Sequence, residues 1–142
     1  MTDLRIRLAD WHQDQDALRQ IRETVFITEQ SVPPELEWDA EDATAIHFLA
    51  FDGDYPIGTA RLSADGHIAR LSVLRDWRGL GIGDALLEAV IAEAERRDLG
   101  KQTLSAQVQA APFYERHGFR IVSEEFIDAG IPHVEMCRHS QG

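Results

Sequence analysis

The stretch Ile68-Ala69-Arg70-Leu71-Ser72-Val73, followed after a short crossing by Arg78-Gly79-Leu80-Gly81-Ile82-Gly83, decides how this chain is read. A turn at Asp65-Gly66 leads into a strand over His67 to Leu74, and a long helix is predicted from Gly81 to about Asp98. A strand that runs through glycines into a helix makes an anion site. The first helical N–H groups lack an intrahelical partner, and the helix dipole adds partial positive charge there. Glycines at 79, 81 and 83 remove side chains that would hold a phosphate away, and Arg78 adds a positive charge.

The spacing excludes two common phosphate binders. A Walker loop requires Lys then Ser or Thr after its last glycine, whereas Asp84 and Ala85 follow here. A dinucleotide fingerprint reads G-x-G-x-x-G at the first strand–helix junction of a parallel unit. Gly79, Gly81 and Gly83 are spaced G-x-G-x-G, after four strands. Taken alone, the motif is also compatible with a glycine-rich turn that only permits tight packing.

Outward from the loop, Ile82, Ala85, Leu86, Ala89, Val90 and Ala94 form one helical stripe opposite Glu88, Glu95 and Arg96, with Gly100 as the stop. Upstream, Leu4, Ile6 and Leu8 alternate as a first strand, and Asp14 or Asp16 caps a helix through Ala17, Leu18, Ile21 and Val25, with Arg19, Arg22 and Glu23 on its far side. Residues 28–44 carry six acids, no base and Pro33-Pro34, which reads as a loop with at most a short helical turn. Ile46 to Phe51 and Ile57 to Leu62 form a hairpin about Asp52-Gly53-Asp54. Downstream come a strand over Thr103 to Gln107 and a helix over Ala110 to His117. Two last strands follow, Phe119 to Phe126 and His133 to Cys137, joined at Gly130/Pro132. The order β-α-β-β-β-α-β-α-β-β predicts one α/β layered (α+β) domain over residues 1–142, with a mixed, mostly antiparallel sheet of about seven strands flanked by helices.

With 142 residues, 44% of them hydrophobic, and a net charge of −11, the composition is that of a folded acidic protein. One lysine and thirteen arginines against 25 acids argue against nucleic acid and against an anionic membrane surface. No apolar run approaches the roughly 20 residues of a membrane span, and the N-terminus lacks a signal-peptide core, so a cytoplasmic location is expected. The single Cys137 excludes an internal disulfide, and no Cys/His spacing points to a metal.

Arg78 to Gly83 resembles the R/Q-x-x-G-x-G/A signature of the GNAT family of N-acetyltransferases, and two further segments agree. Ile68 to Val73 looks like the family's fourth strand. Gln107-Val108-Gln109-Ala110-Ala111-Pro112-Phe113-Tyr114, closing on Gly118-Phe119, resembles its second cofactor segment, with Gln107 where the family commonly has Asn. Within the family, Val25-Phe26-Ile27-Thr28-Glu29-Gln30 with Val32-Pro33, Glu124-Glu125-Phe126 and Asp128 to Met136 resemble the small bacterial ElaA-like branch. The resemblance implies a GNAT fold and direct transfer of an acetyl group from acetyl-CoA to a primary amine, small and cationic or on a peptide. It implies that the backbone of Leu71, Ser72 and Val73 holds the pantetheine arm and polarises the thioester. The loop Arg78, Gly79, Leu80, Gly81, Ile82, Gly83 would bind the pyrophosphate. Tyr114 would give the departing thiolate its proton, unless it only packs with Phe113 and Phe119. Family habit also implies a homodimer.

A protonated amine must lose a proton before it attacks. The candidate bases are Glu29, Glu35, Glu37, Asp39, Glu41 and Asp42 of the acidic loop, with His47 and His133. That loop reads equally as a solvated acidic segment. Trp38 lies among the acids, where it would stack on an acceptor or simply pack, and Trp77 would anchor the turn beside the loop or cover the cofactor. Two other functions remain open on the same scaffold: a non-catalytic CoA sensor and a protein-interaction module.

Overall fold

Alternation along the central hairpin sorts the chain into layers. In the computed structural model, which describes residues 3–140, β2 (Ile46–Asp52) turns Phe48 and Ala50 to one face and Leu49 to the other. β3 (Tyr55–Leu62) pairs with it so that Ala60 and Leu62 join the first face, while Thr59 and Arg61 join Leu49 on the second. The first face is covered by α3 (Ile82–Arg96), through Ile82, Leu86, Val90 and Ala94. The second is covered by α1 (Gln15–Arg22), through Leu18 and Ile21.

The sheet order is β1-β2-β3-β4-β5-β8-β6, with β7 also on β8. Here β1 is Leu4–Ala9, β4 His67–Val73, β5 Lys101–Gln107, β6 Arg120–Ile121, β7 Phe126–Asp128 and β8 Ile131–His139. Only β4 and β5 are parallel, so the expected mixed, mostly antiparallel sheet with flanking helices is found, with eight strands. The eighth arises because the expected strand over Phe119 to Phe126 breaks in two. Val122 N–H donates to the Glu135 carbonyl, but the next bond comes from Glu135 N–H to the Ser123 hydroxyl, a side chain in place of a backbone acceptor.

Two other local expectations change. α3 stops at Arg97 because Asp98 takes a left-handed conformation (φ 61°), with Asp98 N–H on Glu95 O and Leu99 N–H on Ala94 O; Gly100 is not the stop. The short helical turn allowed in the acidic loop is present as α2 (Pro34–Glu37), which uses Pro34 at the first turn, where its missing N–H costs nothing. Asp14 sits at the N-cap position of α1 but does not cap it, because its carboxylate accepts from Arg7 and from Asp10 N–H. Beyond Arg22 the helix continues as a π-helical segment, Glu23–Glu29, opening where Thr24 Oγ1 donates to the Gln20 carbonyl. No helix of the described residues is long and apolar enough to cross a membrane.

Candidate active site

The β4–β5 ladder holds only at His67–Thr103 and Ile68–Leu104, after which the two strands part. The parting begins at Arg70, which has φ 58° in mid-strand, at the register shift between β3 and β4. Past this bulge Leu74 N–H donates to Ile57 O of β3. By strand alternation Ser72 also turns its backbone to β3, while Leu71 and Val73 turn theirs to the open edge. The edge borders a cavity of about 510 Å³ lined by Leu71, Ala106, Gln107, Ala110 and Tyr114, and by Phe26 and Gln30 across it.

The glycine loop follows β4 and leads into α3. Gly79 and Gly81 have φ 79° and 81°, where a Cβ would strain the backbone although it would meet nothing within 4 Å. Gly81 is the N-cap of α3 and supplies no side-chain cap, so the first N–H groups of that helix are left without a side-chain partner. Ile82 buries its side chain in the core, Leu80 is exposed, and Gly83 lies against Phe113. Asp84 ties the start of α3 to the turn that follows α4 (Ala111–Glu115) by accepting from His117 Nε2 at 2.7 Å. Arg78 is committed: Nε donates to the Val73 carbonyl at 2.8 Å, and both terminal nitrogens donate to Glu29 at 2.9 Å. The Arg78 hydrogen bonds hold the Glu29 carboxyl below its ordinary range.

Tyr114 projects from α4 into the cluster under α3, edge-on to Phe113 and Phe119. Burial pushes its hydroxyl up to about 12, so it stays protonated throughout any working range. Gln107 is tied across the cavity mouth: its Nε2 donates to Gln30 Oε1 at 2.7 Å, and its Oε1 accepts from Gln109.

The acidic loop is only partly solvated: Glu35, Asp39 and Glu41 are exposed, but Glu37 and Asp42 are buried. Arg22, expected on the outer side of its helix, is 1% exposed, with Nε on Glu37 Oε2 at 2.6 Å and Nη1 on Asp42 Oδ1 at 2.7 Å. Arg61 donates to Asp39 and Asp42, and Arg70 pairs with Glu37 and Asp39. Burial pushes Asp42 up, but its bonds to Arg22, Asp39 N–H and Arg61 win and hold it low; for Glu37 burial wins over Arg70 and Arg22. Sequence reading missed these three arginines, yet there was a signal: six acids without a local base require bases from elsewhere if they are to be buried. Trp38 is packed under the guanidinium groups of Arg22 and Arg19. Trp77 anchors its turn, donating to Asp52 and stacking on Tyr55.

Of the candidate bases, Glu29, Glu37, Asp39 and Asp42 are thus held by arginines. His47 is buried against Trp11 with Nε2 on the Asp42 carbonyl, and burial holds it below its ordinary range. Glu35 is exposed and lies outside the cavity lining. Glu41 lines the cavity and accepts from Ser63. His133 lines it as well. Among the described residues no group of three His, Cys, Asp or Glu could hold a metal ion.

A splayed parallel pair beside a glycine-capped helix is the arrangement of one family of acyl-group transferases. The model of the acetyltransferase (GNAT) domain family matches residues 9–139, so the chain belongs to that family and is an acyl-CoA-dependent N-acyltransferase. It is 39% identical over 122 residues to a Bacillus subtilis (strain 168) protein named "Uncharacterized N-acetyltransferase YjcF", covering 83% of this chain and 87% of that one. An acyl-CoA N-acyltransferase from Pseudomonas aeruginosa superposes with a TM-score of 0.86 at 30% identity, over 96% of this chain and 99% of that one. ElaA of Escherichia coli gives 0.86 at 27% identity over the same shares, in agreement with the ElaA-like stretches of the sequence.

Proposed function

We propose that the chain, working as a single domain, transfers an acetyl group from acetyl-CoA to a primary amine by direct attack within a ternary complex. The acceptor is a small cationic amine or an amine of a peptide. The observation that carries this reading is the open edge of β4: Leu71 lines a cavity that also holds Tyr114, and by strand alternation Val73 turns its N–H to the same edge. In this reading the edge pairs with the pantetheine arm, Ser72 holds the strand against β3, and an N–H near Val73 stabilises the oxyanion that forms at the thioester. The residues Gly79 to Gly83 take the pyrophosphate on backbone N–H groups, with Arg78 beside them.

Tyr114 supplies the proton that the departing sulfur needs. With its hydroxyl at about 12 and an ordinary thiol at about 8.5, forming a free tyrosinate would cost roughly 5 kcal/mol. The reading therefore has Tyr114 passing a proton on while it regains one, rather than ionising as a separate step.

The test is thiol release from acetyl-CoA with spermidine, phenethylamine, a short lysine peptide, or buffer alone. Amine-dependent release is expected. Absence of release with all of them, together with no stabilisation of the fold by CoA, would contradict the proposal.

A further inference from the structure

We propose that His133 is the general base that takes the proton from the acceptor's ammonium group. The proposal rests on the transferase reading above and adds to it the group that makes the nucleophile.

Strand register sets where His133 points. In β8, Val134 and Met136 face α3 with their β5 neighbours Ala106 and Leu104, so His133 and Glu135 face the opposite side with Gln107 and Ser105. Gln107 on that side reaches Gln30 of the segment that follows α1. Tyr114 packs with the α3 cluster on the first side. The two groups thus approach one cavity from opposite faces of the split sheet, the proton acceptor from one and the proton donor from the other.

Local bonding sets which nitrogen is available. His133 Nδ1 lies 2.7 Å from the Ile131 carbonyl, which can only accept, so Nδ1 carries the hydrogen and Nε2 carries the lone pair. The ring is held from the side by Phe126, its register partner in β7, at 6.0 Å between centroids. Among the described residues no hydrogen bond or ion pair occupies Nε2. Other charged groups on its surroundings are Asp128 from β7 and Glu135 on its own strand, the latter bonded to Ser105. Across the cavity are Glu41, His67 and the Arg61/Arg70 pair. Glu41 is the competing base, but its Oε2 already accepts from the Ser63 hydroxyl at 2.7 Å.

The proton balance is complete. His133 Nε2 takes one proton from R–NH3+ and releases it to solvent. The freed amine forms the N–C bond, the C–S bond breaks with its electron pair going to sulfur, and nitrogen's second proton ends on sulfur by way of Tyr114. The products are the N-acyl amine and the free thiol.

His133→Gln is compared with the unaltered protein, using the amine of the panel that turns over fastest. At pH 7 kcat/KM for the amine is expected to fall on the order of 100-fold, with CoA affinity unchanged. The deficit should shrink about tenfold per pH unit as pH rises toward the amine's own pKa, because solvent then supplies the free base. A loss equal at every pH, or no loss, would overturn the proposal. Nitrogen-15 NMR of the unaltered protein tests it without turnover: the neutral ring must carry its proton on Nδ1, and the Nε2–H tautomer would overturn the assignment. Absence of turnover together with no stabilisation of the fold by CoA fails the parent reading and this one with it, whereas the wrong tautomer or a pH-independent loss fails this one alone.

Discussion

The two faces of the split sheet are built from different materials. On the α3 side the candidate cofactor site consists of backbone: the open edge of β4, two glycines at positive φ and the start of a helix. On the α1 side the candidate acceptor site consists of side chains, and its charges are balanced by arginines from three separate elements, Arg22, Arg61 and Arg70. A backbone site tolerates changes of side chain as long as φ is kept. A side-chain site that encloses charge depends on every partner, since each ion left alone in the interior carries its full desolvation cost. The first half should therefore respond to substitution mildly and through binding, the second severely and through stability.

The largest effect expected from this contrast is Arg22→Met. It leaves Glu37, 2% exposed, without its 2.6 Å partner and removes one of Asp42's guanidinium groups. A loss of about 3–5 kcal/mol is expected in denaturant unfolding, a large part of the stability of a domain this size. A loss below about 1 kcal/mol would mean that water reaches the cluster and that the contrast is false.

Gly81→Ala comes next. The added Cβ meets no atom within 4 Å, so the cost is backbone strain alone, roughly 1–2 kcal/mol for a left-handed position, together with weaker CoA binding by calorimetry. Equal damage at Gly100→Ala, a position without positive φ, would remove that explanation.

Glu29→Gln is the smallest and the sharpest of the three. Glu29 neutralises Arg78 through two hydrogen bonds in a pair that is partly exposed, a geometry worth about 0.2–1 kcal/mol. Removing the charge releases Arg78 toward the glycine loop, and CoA is expected to bind about two- to five-fold more tightly at low salt, with the gain shrinking as salt screens it. Weaker binding would mean that the pair positions the loop rather than competing for it.

The same contrast explains what could be read from the sequence. The glycine loop, the strand before it and the helix after it lie within thirty residues, and their conformation is set by local backbone chemistry, so the left-handed turn at Gly79 and Gly81 was legible. Arg22 was not, because its partners Glu37 and Asp42 stand 15 and 20 residues away, and a helical wheel assigns an arginine to water by default. Arg70 in mid-strand at φ 58° has no sequence signature either, since only tertiary pairing with Glu37 and Asp39 compensates the strain. The break after Ile121 was hidden for a similar reason: one serine hydroxyl replaced a carbonyl in the ladder. A histidine at the start of a predicted strand did place His133 among the candidates, but choosing it required the register of β8 and the Ile131 carbonyl.

We propose acyl transfer between the two faces, with Tyr114 serving the departing thiol. Its most direct test is the turnover of Tyr114→Phe beside the CoA dissociation constant of the same variant. A fall in kcat of about 100-fold or more is expected, with the dissociation constant unchanged within about two-fold, because the ring and its packing on Phe113 and Phe119 remain. An unchanged kcat, or a loss of binding equal to the loss of rate, would contradict it.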